Sequence, residues 1–287
     1  MSFSTPSATQ QTSYFFVDAG SLRSHLDQTA KRLFAGQKFE IDYRKLRGSY
    51  TKAFLYDAVP VKKSDESDDD YRERTKSINE ELSAASRVDG LHVYTGDARW
   101  RRNRGNEQKK VDILIAVDML THAFRRNMDS AFLLTGDLDF KPLLDALGRE
   151  GMYTTLLYPP GHTNEELINA ADAAHPITMT MLFGWLKSSS QQHFQIPKTS
   201  TLQVYNEAQF GHSLGSWETY AGGKVQLFRR RNEYVVIHPT ANGSCITAWG
   251  DYEMLKIFLE DTGTMEVPDF AFFAPVIQQV DKNNGWA

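Results

Sequence analysis

Strand-length apolar runs alternate with helical patterns from Tyr14 to about Ala174, and this alternation restricts the fold more than any other feature of the sequence. Tyr14-Phe15-Phe16-Val17 is a short continuous apolar run ending on Asp18, the pattern of a strand buried on both faces. Ser21 reads as the N-cap of a following helix that carries Leu22, Leu26 and Leu33. Thr51 to Tyr56 is a second strand, Tyr71 to Arg87 a helix, Leu91 to Thr95 a third strand, and Lys109 opens another helix. Ala131 to Thr135 and Met152 to Tyr158 add two strands, separated by a helix that reaches about Glu150, and Asn164 to Ala174 reads as a last short helix. Such an order predicts a three-layer α/β domain whose central parallel sheet is covered on both faces and joined by right-handed crossovers.

Past Trp185 the composition changes. Residues 188–200 read as a Ser/Gln-rich linker and 201–287 as a smaller α+β unit, with strands at Lys224 to Phe228, Tyr234 to His238 and Ser244 to Trp249 and a helix capped by Asp251. Arg229 to Glu233 is the expected hairpin turn, where Arg229, Arg230 and Arg231 serve solubility or extend a nucleic-acid surface. Residues 1–13 are rich in Ser, Thr and Gln and read as a disordered tail, which leaves 14–187 as the main domain. The tail resembles no signal peptide and no apolar run is long enough to span a bilayer, so a cytoplasmic location without a membrane partner is expected. Cys245 is the single cysteine, which excludes an intrachain disulfide and a Cys-based zinc site.

Carboxylates recur near element boundaries. Asp18 follows the first strand, Asp112 lies at a helix start, and Asp137 and Asp139 follow the strand that ends at Thr135. The ends of parallel strands share one edge of a sheet, where ligands of open α/β folds bind, and a crossover helix can begin there too. Carboxylates gathered in this way repel one another unless a cation neutralises them, and an all-oxygen site suits Mg²⁺ or Mn²⁺. These ions commonly act on phosphate esters. Asp118 lies about 120° round the helix from Asp112 and is the weaker ligand candidate. Asp137 is the stronger metal candidate of its pair, whereas Asp139 is expected to cap the next helix. The acids from Asp65 to Asp70 read as a solvated loop and stay outside the site.

A net charge of -4 gives the chain no global attraction for nucleic acid, so binding would rest on a local patch. Arg99, Trp100, Arg101, Arg102 and Arg104, with Lys110 close behind, form the candidate: guanidinium groups for phosphates and an indole for a base.

Phe16-Val17-Asp18-Ala19-Gly20-Ser21-Leu22, then Lys110-Val111-Asp112 with Asp118-Met119, then Thr135-Gly136-Asp137-Leu138-Asp139-Phe140, taken in this order, resemble the NYN domain family (LabA-like), a branch of the PIN-like nucleases. The resemblance covers about Tyr14 to Met181. It implies a PIN-like, Rossmann-like fold and a metal-dependent ribonuclease activity on single-stranded or structured RNA that leaves a 5′-phosphate. The family's catalytic and metal-binding acids fall on Asp18, Asp112, Asp137 and Asp139, supported from behind by Ser21, Thr135 and Asp118. The family commonly has Asn three residues after its first Asp; Ser21 stands there in this chain.

Other classes fit less well. A haloacid-dehalogenase-type phosphatase needs Asp-x-Asp after the first strand, where this chain has Asp18-Ala19-Gly20, and Gly20 also breaks the Asp-x-Ser-x-Ser of a metal-dependent adhesion site. The alternative that stays open is a non-catalytic module binding RNA or a protein on the same fold, with the C-terminal unit as a surface for a partner or a second copy.

Overall fold

The first strand, β1 (Ser13–Asp18), is the centre of the larger sheet, and its side chains from Tyr14 to Asp18 are all buried. The computed structural model describes residues 11–60, 62–96, 108–219, 222–240, 243–261 and 265–286. The sequence reading placed Ser13 in the tail, but this residue opens the strand, and the Thr12 N–H donates to the Asp129 carboxylate at 2.7 Å while its carbonyl accepts from the Asp129 N–H. β1 runs without a loop into α1 (Ala19–Leu33). The cap is Asp18 rather than Ser21: its Oδ1 accepts from the backbone N–H of Gly20 at 3.0 Å and of Ser21 at 3.2 Å. Strand and helix thus meet at a single carboxylate.

The chain continues through α2 (Tyr43–Arg47), β2 (Lys52–Ala58), α3 (Asp68–Ala85), β3 (Leu91–Gly96), α4 (Gln108–Phe124) and β4 (Ser130–Leu134). A 3-10 turn, Leu138–Phe140, then leads to α5 (Lys141–Arg149), β5 (Tyr153–Tyr158), α6 (Glu165–Ile168) and β6 (Ala173–Pro176). The acids expected in a loop at Asp68, Asp69 and Asp70 form the first turn of α3, capped by Ser67, where the helix dipole favours negative charge. The helix expected over Asn164 to Ala174 is cut short. Thr154 donates its N–H and hydroxyl to Asp172 at 2.7 and 3.0 Å, and the alanines that follow pair with β5 as a sixth strand, so tertiary pairing overrides helix propensity.

The six strands are ordered β3-β2-β1-β4-β5-β6, and every neighbouring pair is parallel. The chain moves outward from β1 to β3, returns to β4 beside β1, and moves outward again, so the strand order reverses between β1 and β4. Because strand side chains alternate faces, Phe16, Phe54, Tyr56 and Leu133 share one core with Val111, Ile115 and Met119 of α4 and Leu144 and Leu147 of α5. Asp57 falls on the other face. There it is 2% exposed and takes both guanidinium nitrogens of Arg23 from α1, one of them at 2.8 Å, while Glu81 of α3 takes the Tyr43 hydroxyl.

A second compact unit comprises Thr178–Phe183 and the chain from Ser188 onward, the first being completed by Gly184–Lys187. Residues 178–183 therefore pack with the second unit, not with the domain to which the sequence reading assigned them. Their helix, α7 (Met179–Gly184), buries Met179, Leu182 and Phe183, and the Met179 N–H donates to Asp261 at 2.6 Å. The stretch expected to be a linker contains α8 (Ser188–His193) and β7 (Lys198–Leu202). β8 (His212–Glu218), β9 (Lys224–Arg230), β10 (Glu233–Thr240) and β11 (Gly243–Trp249) complete an antiparallel sheet ordered β7-β11-β10-β9-β8, followed by α9 (Tyr252–Asp261) and α10 (Phe270–Asn284). This unit is α+β, and its core joins Leu214, Val225, Leu227 and Val236 to Leu255, Phe273 and Ile277. Arg229 and Arg230 belong to strand β9, not to the turn, and they are paired: Arg229 with Asp281 and the Tyr234 ring, Arg230 with Glu233.

Asp57 supplies a test of the larger sheet. Asp57→Ala removes the bidentate partner of a partly buried guanidinium and leaves it, among the described residues, the more distant Glu81, and a loss of about 2–3 kcal/mol is expected, read as a lower urea midpoint at unchanged slope.

Candidate active site

At the carboxyl edge, between β1 and β4, the end of one strand is tied to the turn that follows the other. The Thr135 hydroxyl, fully buried, donates to Asp18 Oδ2 at 3.0 Å and accepts from the Asp137 N–H at 3.2 Å. Ser21 reaches across from α1: its Oγ accepts from the Gly136 N–H at 3.1 Å and lies 3.3 Å from Thr135 Oγ1. Both neighbouring glycines relieve crowding. A Cβ on Gly20 would lie 3.1 Å from Asp18 Oδ1, and one on Gly136 would lie 3.2 Å from Thr163 Oγ1 and 3.3 Å from Pro159. The small residue in Asp-Ala-Gly-Ser therefore lets the start of α1 close on the Asp18 carboxylate, and the one in Thr-Gly-Asp lets the turn after β4 pass Pro159 and Thr163.

Asp137 is the N-cap of the 3-10 turn, its Oδ1 accepting from the Asp139 N–H at 3.0 Å. The cap expected at Asp139 therefore falls on Asp137, because the turn begins directly at Leu138, and α5 itself starts from Phe140 without a side-chain cap. Asp112 stands on α4 beyond the first turn of the described helix, one residue from the buried Val111. It is no helix cap.

Electrostatics link the four acids. Partial burial and the charges of Asp18, Asp137 and Asp139 raise the Asp112 carboxyl to about 6. Burial also pushes the Asp18 carboxyl up, against hydrogen bonds from Ser21, Thr135 and Gly20 that favour its ionised form. Among the described residues, no group of three or more His, Cys, Asp or Glu side chains could hold a metal ion as arranged. The carboxylates are close enough for their charges to couple, while Asp18 and Asp137 are held to backbone N–H groups as caps. The donor chemistry still matches a hard divalent cation: each is an oxygen ligand with lone pairs beyond those its hydrogen bonds use.

Asp118 has a different partner. Tyr56 donates its hydroxyl to Asp118 Oδ2 at 2.8 Å, and burial with that carboxylate beside it raises the Tyr56 phenol. The sequence reading overlooked Tyr56, although its position at the end of an apolar strand, in register with Asp18, is the same signal that singled out Asp18. Arg99, Trp100, Arg101, Arg102 and Arg104 lie outside the described residues, as does the side chain of Lys110.

The NYN domain family model matches residues 15–179, more than half of the chain. The chain belongs to the NYN domain family. Membership implies a PIN-like nuclease fold, of a kind generally dependent on a divalent metal, and the parallel six-stranded sheet of the first unit has that architecture. Among solved structures the chain is similar to VPA0982 from Vibrio parahaemolyticus RIMD 2210633, a protein of unknown function, at 17% identity and a TM-score of 0.43 over 63% of this chain and 99% of that one. No curated protein matches. No helix among the described residues of the NYN chain is long and apolar enough to cross a membrane.

The Asp112 carboxyl gives a pH test. Its folded value of about 6 lies above its ordinary value of 3.8, so the folded state binds the proton more tightly than the unfolded chain does. Stability from this group is therefore present at low pH and is lost as pH rises through that window. Asp112→Asn is expected to stabilise the metal-free protein at pH 7 by about 1 kcal/mol after allowance for solvent screening, and by little near pH 4, in thermal melts across pH.

Proposed function

We propose that the NYN unit is a metal-dependent endoribonuclease that hydrolyses RNA phosphodiester bonds at Asp18, Asp112, Asp137 and Asp139, with Mg²⁺ or Mn²⁺ as the metal. The observation that carries this reading is the meeting of Asp18 with the Thr135-Gly136-Asp137 turn at the carboxyl edge, where the Thr135 hydroxyl bonds to both at 3.0 and 3.2 Å, close enough to α4 for their charges to act on Asp112. Acids from β1, α4 and the turn after β4 thus act on one another at the edge where the strand order reverses, the usual ligand crevice of an open α/β sheet. An uncompensated acidic cluster repels a phosphodiester, so the substrate chemistry requires a cation there.

When bound, the metal supplies charge neutralisation for the substrate phosphate and the developing alkoxide. The four carboxylates would hold it. Thr135 and Ser21 keep Asp18 and the Thr-Gly-Asp turn in place through their hydroxyl contacts. Asp112, raised in the metal-free cluster by burial and by the charges of the other three acids, would be drawn to its ionised form by the cation and serve as one of its oxygen ligands. Asp118, engaged with Tyr56, supports the α4 side of the crevice. The Arg99 to Arg104 run would hold the RNA backbone.

Cleavage of single-stranded and structured RNA by wild type and Asp137→Asn, with Mn²⁺ or with EDTA, tests the proposal. Wild type in Mn²⁺ should cut, and both EDTA and Asp137→Asn should lower the rate by at least about a hundredfold. Cutting that survives both treatments would refute the site. RNA binding without metal-dependent cutting would instead identify a binding module on the NYN fold.

A further inference from the structure

The ring stack on the α4 side of the NYN sheet is open at its outer end. Phe16 of β1 lies parallel to Phe54 of β2, with 4.9 Å between centroids and 10° between planes, and Phe54 faces His92 of β3 at 5.2 Å and 21°. One row nearer the carboxyl edge, Tyr56 and Tyr94 stack at 5.3 Å and 15°. The inner rings of Phe16 and Tyr56 are fully buried, whereas Tyr94 is 39% exposed and His92 is exposed as well. β3 is the outermost strand on this side, so no described strand continues the row.

Core packing accounts for Phe16, Phe54 and Tyr56. It does not account for two exposed aromatic rings on an edge strand, where charged side chains are the common choice. The platform is also held firmly, because Tyr94 stacks on Tyr56 and the Tyr56 hydroxyl is fixed by Asp118. Register sets its distance from the chemistry. Asp18 pairs with Tyr56 and Tyr56 with Tyr94, which puts the Tyr94 backbone two strand spacings, about 10 Å, from that of Asp18. In sequence, the strand leads straight to the Arg99 to Arg104 run, with its four arginines.

We infer that Tyr94, with His92 beside it, stacks an unpaired nucleobase of the RNA strand whose backbone passes the acidic crevice. The inference rests on the ribonuclease reading above and adds to it a preference for single-stranded substrate. A base has a flat π-face whatever its identity, so one more ring set parallel to Tyr94 extends the row, and this contact is tolerant of sequence. A duplex keeps its bases stacked on one another and cannot offer that face.

Fluorescence anisotropy tests this with a labelled short oligouridylate and with copies carrying one abasic position, in Mn²⁺ and on an Asp137→Asn background to slow cutting. Tyr94→Ala should weaken binding of the intact strand by about 5- to 100-fold, and Tyr94→Phe should leave it within about twofold, since the ring is retained. An abasic position under the platform should cost the Tyr94-containing protein the same factor and cost the Tyr94→Ala protein nothing more. A merely structural role for the ring would not make those two losses overlap. Equal affinity with and without the Tyr94 ring, or an abasic cost that ignores it, overturns the stacking contact alone. Failure of the Tyr94-containing protein to bind any RNA overturns both this contact and the ribonuclease reading.

Discussion

The hydrogen bond from the Thr135 hydroxyl to Asp18 Oδ2 joins the two halves of the parallel sheet at the point where the strand order reverses. Asp18 belongs to the half that winds outward through β2 and β3, and Thr135 to the half that winds outward through β4, β5 and β6. Their side chains meet because β1 and β4 are paired along their length, Val17 opposite Leu134. The same hydroxyl accepts from the Asp137 N–H, and Ser21 Oγ accepts from the Gly136 N–H, so the turn after β4 is anchored on both sides. Asp18 and Asp137 take their positions from these few contacts. A buried carboxylate is costly, and this one is satisfied by two backbone N–H groups and a hydroxyl.

The fate of the two strand-end acids shows how much depends on the period of a strand. Asp18 follows Phe16 onto the face that α4 covers and joins Asp112, Asp137 and Asp139. Asp57 follows Leu55 onto the opposite face, and Arg23 neutralises it there. One residue of register separates an acid coupled to other carboxylates from an acid that holds α1 to the sheet. The aromatic row obeys the same parity: Phe16, Phe54, Tyr56, His92 and Tyr94 share the Asp18 face, which brings rings and carboxylates to one side of the NYN sheet.

Much of the larger unit was legible in the sequence because buried parallel strands are written as unbroken apolar runs, as in β1, β2 and β4, whereas the edge strand β3 alternates buried and exposed positions. Features written only in long-range pairing were not. The β6 strand is hidden in an alanine-rich stretch of good helix propensity, and its extended form depends on Asp172 meeting Thr154 of β5. The second unit was read in part. Its three central strands show β-branched and aromatic alternation, whereas β7 is exposed along its whole length and has no apolar pattern to read.

By itself the sequence determined the α/β class, the strand that ends on Asp18, the Thr-Gly-Asp turn and the family, since each is encoded in neighbouring residues. Tertiary structure alone decided which acids feel one another's charge, because that depends on the strand order and on the face each residue takes. It moved both caps, from Ser21 to Asp18 and from Asp139 to Asp137, since strand and turn meet their helices without a loop between. It also took Asp118 to Tyr56, a partnership between residues 62 positions apart that no local pattern contains.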